Sequence, residues 1–145
     1  MTSTSASKIL PKALLITCID YRIVDLVHQK MKDLGYQNDY DLLTMAGASL
    51  GPLNPTHLLW SVTFWEHLSM VIQYHDIKKV IVIDHRDCKA YQVAFNREFI
   101  NRQEETQMHR RNVAALYYQL SILHPEIEFE AYLLDLDGTL EHLGV

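Results

Sequence analysis

Cysteine is scarce in this chain, with two in 145 residues. That is too few for a disulfide framework at this length, and it makes the cytosol, where thiols stay reduced, the expected compartment. Basic residues are outnumbered, 13 against 18 acidic, for a net charge of −5. Nucleic-acid binders usually carry a basic face, so no nucleic-acid partner is expected. No apolar run approaches the roughly 18 residues of a membrane span, so no membrane partner is expected either. Met1 to Ser7 lacks the apolar core of a secretory signal, and residues 1–8 read as a flexible tail. Four prolines and five glycines are too dispersed to make a linker, and no repeat or low-complexity segment follows the tail. What remains is ordinary globular composition, 48% hydrophobic and 21% charged. Residues 9–145 are expected to form a single domain with a sizeable core.

Strand and helix patterns alternate along that domain. Lys12–Thr17 is a short apolar run behind Pro11 and reads as a buried strand. Ile23–Leu34 carries a helical apolar stripe closed by Gly35. Tyr40–Met45 is a second strand, and Leu50–Pro55 a loop. Thr56 can cap a long helix over His57–His75. Lys79–Asp84 is a β-branched strand. Cys88–Asn96 and Glu104–Leu123 read as helices, and Ile127–Leu134 as a late strand before an Asp137-Gly138 turn. This order predicts an α/β fold: a mainly parallel central sheet of about four strands, plus a C-terminal edge strand, flanked by helices.

Both cysteines follow strands. Cys18 ends the first, and Cys88 sits after the third in His85-Arg86-Asp87-Cys88. In an open parallel sheet, ligands bind beyond the carboxyl ends of the strands. If the two strands are neighbours, Cys18, His85 and Cys88 meet there. Two thiolates and an imidazole are a Zn2+ donor set with one position left open, the pattern of a catalytic site. Cys88 also opens a helix, whose N-terminus favours a thiolate. Taken singly, a cysteine at a strand end is most often a small buried residue; the combination is what points to a metal. In Cys18-Ile19-Asp20-Tyr21-Arg22, an extended backbone would set Cys18, Asp20 and Arg22 on one side. Arg22 would keep the Asp20 carboxylate ionised. Such a carboxylate can orient a hydroxide on the metal, or close the site as a fourth ligand.

Together, Cys18-x-Asp20-x-Arg22, Ala46-Gly47 and His85-x-x-Cys88 resemble the pattern of the β-class carbonic anhydrase superfamily, of which this is identified as a short, divergent member. The resemblance runs from about Lys12 to the last strand. It implies zinc held by Cys18, His85 and Cys88, with Asp20 and Arg22 as the catalytic dyad that orients a zinc-bound hydroxide. It implies the reversible hydration of carbon dioxide to bicarbonate by a lyase acting as a homodimer or higher homo-oligomer, its cleft near the subunit interface. The same scaffold also resembles hydrolases of carbonyl sulfide and carbon disulfide, and a non-catalytic zinc-binding relative is the remaining alternative. Lys89 stands where the family usually has glycine, and Ala48 where it usually has asparagine. Hydration releases a proton, and His28, His57, His67 and His75 are candidate shuttles that the sequence does not separate.

Three rival readings are weaker. Asp135-Leu136-Asp137-Gly138-Thr139 resembles a haloacid-dehalogenase-type phosphatase motif, but only five residues follow Leu140, too few for the rest of such a site. Cys18 to Arg22 is too short to cradle an oxyanion. Cys18 and Cys88 do not form a C-x-x-C redox pair. The aromatics Trp60, Phe64 and Trp65 on the long helix read as core, and the resemblance to an oligomeric family implies that part of the cluster lies at a subunit interface.

Overall fold

The computed structural model describes residues 11–145; the N-terminal tail assigned from the sequence lies outside them. Five strands form one sheet in the order β2-β1-β3-β4-β5. They are β1 (Ala13–Thr17), β2 (Tyr40–Thr44), β3 (Lys79–His85), β4 (Glu128–Leu134) and β5 (Leu140–His142). The first four are parallel, and β5 returns antiparallel on β4. This is the sheet that the sequence predicts. The Asp-Gly turn makes the last return: Gly138 takes φ +94, and Asp137 Oδ1 accepts from the Thr139 amide at 2.8 Å.

Alternation along the strands divides the core. Leu14, Ile16, Val80, Val82, Ala131 and Leu133 face one side, against α2 (Leu59–His75) and α4 (Arg102–Leu123). Ala13, Leu15, Ile81 and Ile83 face the other, against α1 (Val24–Asp33) and α3 (Lys89–Phe95). A strand covered on both faces has no polar face to show, which is why β1 and β3 read as continuous apolar runs. From β1 the chain crosses to β2 on one side and later to β3 on the other. The crossovers therefore diverge between β1 and β3, and a crevice opens at their carboxyl ends.

Some boundaries differ from the sequence reading. Residues Ala48–Leu53 form a 3-10 helix where a loop is expected. Thr56 does not cap α2; the helix begins at Leu59, and the Thr56 hydroxyl donates to Asn54 Oδ1 at 2.8 Å. Residues Tyr21–Ile23 form a 3-10 turn ahead of α1. No described helix is long and apolar enough to cross a membrane.

Candidate metal centre

Strands β1 and β3 lie side by side, with Thr17 in register with Ile83. Their ends deliver Cys18 and His85 to the same point. The segment Arg86–Cys88 then turns back, and Cys88 becomes the residue before α3. The turn needs Asp87 at φ +58, a left-handed conformation more easily held by Asp than by most residues. Glu105 holds it from α4, its Oε2 accepting from the Asp87 amide while its Oε1 accepts from Arg86 Nη1 at 3.0 Å.

The donor atoms of Cys18, His85 and Cys88 all lie within 4.8 Å of one another, and all three residues are buried. The two sulfurs are 3.9 Å apart. Two thiolates on a tetrahedral zinc at about 2.3 Å each would sit about 3.8 Å apart. His85 Nδ1 lies 2.7 Å from the Arg86 carbonyl oxygen, so it donates there and leaves Nε2 as a bare lone pair. That Nε2 is buried with no hydrogen-bond partner. A buried polar atom is rarely left unpaired, and a cation at the centroid of the three donors would satisfy this one. The residues fit a metal.

The protons of the triad tell the same story. The neighbouring Cys88 thiol and, less strongly, the Gly47 amide at 3.3 Å pull the Cys18 thiol down against the cost of burial. The contact with the Cys18 sulfur, and burial after it, push Cys88 the other way. Burial opposes charge on His85, but the Cys18 sulfur, the Arg86 carbonyl and Asp20 outweigh it and raise its pKa. Negative charge is thus stabilised at Cys18 by neighbouring donors, a task that a cation would take over.

Asp20 and Arg22 flank the triad. Asp20 Oδ2 is 3.7 Å from His85 Nε2. Arg22 Nη2 donates to Oδ2 at 2.8 Å, and Nε reaches both carboxylate oxygens at 3.1 and 3.2 Å. The guanidinium holds the Asp20 carboxyl down to about 2, with a further contribution from the Arg22 amide. The pair forms differently from the sequence reading. The backbone is extended at Asp20 but then turns, and Asp20 Oδ1 accepts from the Arg22 amide at 2.9 Å as the cap of that turn. Arg22 also reaches Asp87, through Oδ2 and the carbonyl, each at 3.0 Å.

These groups open on a cleft of about 730 Å³ whose walls include Ile19, Ala46, Ala90 and Val93. His57 and Trp60 line it, their rings stacked at 4.1 Å and 7°. Of the four shuttle candidates only His57 borders this cleft. Trp60 is thus a cleft residue, while Phe64 is core and Trp65 packs edge-on against it. Lys89 also borders the cleft, with Nζ donating to Gln92 at 2.9 Å.

A family profile described as "Putative carbonic anhydrase" matches residues 10–128. The chain belongs to this family. An uncharacterized protein of Rickettsia conorii is 30% identical over 131 residues, covering 90% of this chain and 70% of that protein. One of Rickettsia bellii is 31% identical, covering 90% and 80%. A tetrameric β-carbonic anhydrase of Sordaria macrospora shares the fold, with TM-score 0.65, 16% identity and coverage of 94% of this chain and 82% of that one. The wild-type β-carbonic anhydrase CafD of Aspergillus fumigatus does so with TM-score 0.58, 10% identity and coverage of 97% and 94%. The family and the fold agree with the resemblance drawn from the motifs.

Sequence reading missed the support beneath this family member's site. Asp84, one residue before His85, is 1% exposed and accepts four hydrogen bonds. They come from the Ser49 amide (3.1 Å) and hydroxyl (2.7 Å), the Tyr91 hydroxyl (3.1 Å) and His109 Nδ1 (2.7 Å). A carboxylate closing an apolar strand was the available signal, because a buried charge needs partners. Asp135 pairs with Arg102 at 2.7 Å and has a structural role.

Proposed function

We propose that this chain is a zinc-dependent lyase that reversibly hydrates carbon dioxide to bicarbonate. The observation that carries the reading is the orphaned His85 Nε2, buried beside two sulfurs 3.9 Å apart and beside the Asp20–Arg22 pair. Cys18, His85 and Cys88 would hold the ion. Bound zinc supplies the acidity that makes water a nucleophile near neutral pH. Asp20, ionised and fixed by Arg22, would accept a hydrogen bond from that water and aim its lone pair toward the cleft. The apolar wall of Ile19, Ala46 and Ala90 suits a linear, uncharged substrate. We further propose that residues 9–145 act as one domain, assembled as a homodimer or higher homo-oligomer. Both thiols must stay reduced to ligate, which is the basis for placing the protein in the cytosol.

Stopped-flow hydration on protein whose zinc has been quantified in the same sample tests the reading. One zinc per chain with hydration above the buffer rate is the expected result. One zinc without hydration, in the presence of turnover of carbonyl sulfide or carbon disulfide, moves the substrate. Zinc with neither activity makes the site structural. Protein that takes up no zinc overturns the ligand assignment.

A further inference from the structure

We propose that His57 carries the proton out of the cleft during turnover. The proposal rests on carbon dioxide hydration as the reaction of this site. In that reaction an O–C bond forms from water to carbon dioxide, an O–H bond of the water breaks, and its electron pair stays on oxygen. Bicarbonate leaves, and one proton per turnover must reach the buffer.

The thiol and charged side chains of the cleft are poorly suited to relay it. Cys18 and Cys88 belong to the donor set. Asp20 is locked by Arg22. A guanidinium and an ammonium have no lone pair to receive a proton, which removes Arg22 and Lys89. Asp87 is tied to Arg22 at 3.0 Å.

His57 differs from every other histidine among the described residues. Each of the other seven has a ring nitrogen within 3.7 Å of a protein partner: His28 with Tyr40, His67 with the Thr63 carbonyl, His75 with Asp41, His85 with the Arg86 carbonyl, His109 with Asp84, His124 with Glu126, and His142 with the Gly144 amide. Among the described residues no such partner engages the His57 ring, which is held by its stack on Trp60. Its backbone is also fixed, the amide donating to the Asn54 carbonyl at 3.3 Å and the carbonyl accepting from Trp60 at 3.1 Å. Stacking positions the ring without consuming a nitrogen. One nitrogen can take a proton from the cleft's water while the other releases one to solvent, and histidine is the residue type suited to this near neutral pH. An imidazolium over the indole face is a favourable cation–π arrangement, so the stack survives protonation.

The experiment compares wild type, His57→Ala and, as a control outside the cleft, His67→Ala, each with zinc quantified. In weak buffer, kcat of His57→Ala is expected to fall about tenfold, the low side of what a proton-transfer group contributes because buffer substitutes in part. Its kcat/KM should stay unchanged, and added imidazole should restore kcat. Independently of turnover, exchange of the histidine C2 hydrogens, read by mass spectrometry, should be fast at His57 and slow at His85 and His109. An unchanged kcat in weak buffer overturns the proposal. So does a parallel fall of kcat and kcat/KM, or slow exchange at His57. A zinc-loaded wild type that hydrates nothing overturns the function reading and the shuttle with it, and is distinguished by the silence of the wild type itself.

Discussion

At the residue scale, the backbone decides what each proposed ligand atom presents. The Arg86 carbonyl takes the Nδ1 proton of His85 and so turns Nε2 toward the sulfurs. Replacing His85 with Ala, or Cys88 with Ser, removes one of three donors, and a hydroxyl is a poor zinc ligand beside a thiolate. Each variant should retain less than about a tenth of the wild-type zinc after dialysis, since even a lost supporting contact costs about 10–100-fold in affinity. Metal analysis of folded protein checks this, and a variant retaining full zinc would sink the assignment. In the proposed reaction Asp20 contributes through charge. Asp20→Asn should keep its zinc and lose about 100-fold in kcat/KM, the low end for a group that positions a proton. The sign of the stability effect comes from the depressed carboxyl. The ordinary aspartate value near 3.9 falls to about 2 in the folded chain. The Asp20–Arg22 contribution is therefore full above pH ~4 and is lost as pH falls through about 2. Urea titrations should show wild type more stable than Asp20→Asn at pH 7, with the gap shrinking below pH ~4. An equal gap at pH 2.5 and pH 7 would contradict the pairing.

At the scale of elements, the site is the place where β1 and β3 end together, braced by the segments around the strand ends. Gly47, between β2 and the 3-10 helix Ala48–Leu53, sits at φ +85, and its amide donates to Cys18 Sγ. A Cβ there would meet Leu50 Cβ at 2.9 Å and Ala90 Cβ at 3.2 Å. Gly47→Ala should cost at least the roughly 1–2 kcal/mol of a left-handed non-glycine residue, and should weaken zinc retention by moving the amide. Chemical denaturation and metal analysis on the same variant check both. The strands and their mainly parallel character are legible in the sequence, because strands buried on both faces leave continuous apolar runs; His85-x-x-Cys88 is legible because it is short and local, whereas Cys18, 70 residues from Cys88, joins it only because β1 and β3 are neighbours, which the sequence reading could state only as a condition. The Arg22 contact to Asp87 and the four donors on Asp84 are not. They join residues as far apart as Ser49 and His109, and only the packing of α3 and α4 over the strand ends brings those together. The tryptophans are ambiguous for a related reason: helical spacing shows that residues share a face but not whether that face meets core, cleft or another chain.

At the scale of the whole molecule, α2 carries an exposed apolar stripe beside the cleft. On α2, Leu59, Val62, Met70 and Tyr74 are 78%, 53%, 55% and 67% exposed, with Leu58 just ahead at 74%. Spaced by three and four residues, they form a stripe along one side of the helix, interrupted only by Glu66. Scattered exposed apolar residues need no explanation, but residues aligned along one side of a helix mark an interaction site. It begins two residues after His57, at the edge of the cleft that holds the donor triad. A homo-oligomer built on this face would bury the stripe and cover part of the cleft wall, linking assembly to the environment of the site. The chain should therefore sediment as a dimer or larger at micromolar concentration. The double substitution Leu59→Glu and Val62→Glu should shift it toward monomer without unfolding it, since neither side chain belongs to the core. In such a monomer the triad stays intact, because Cys18, His85 and Cys88 come from one chain. Zinc should thus be retained while hydration falls. Wild type that sediments as a monomer, or a charged double variant that assembles normally, would remove this face as the interface.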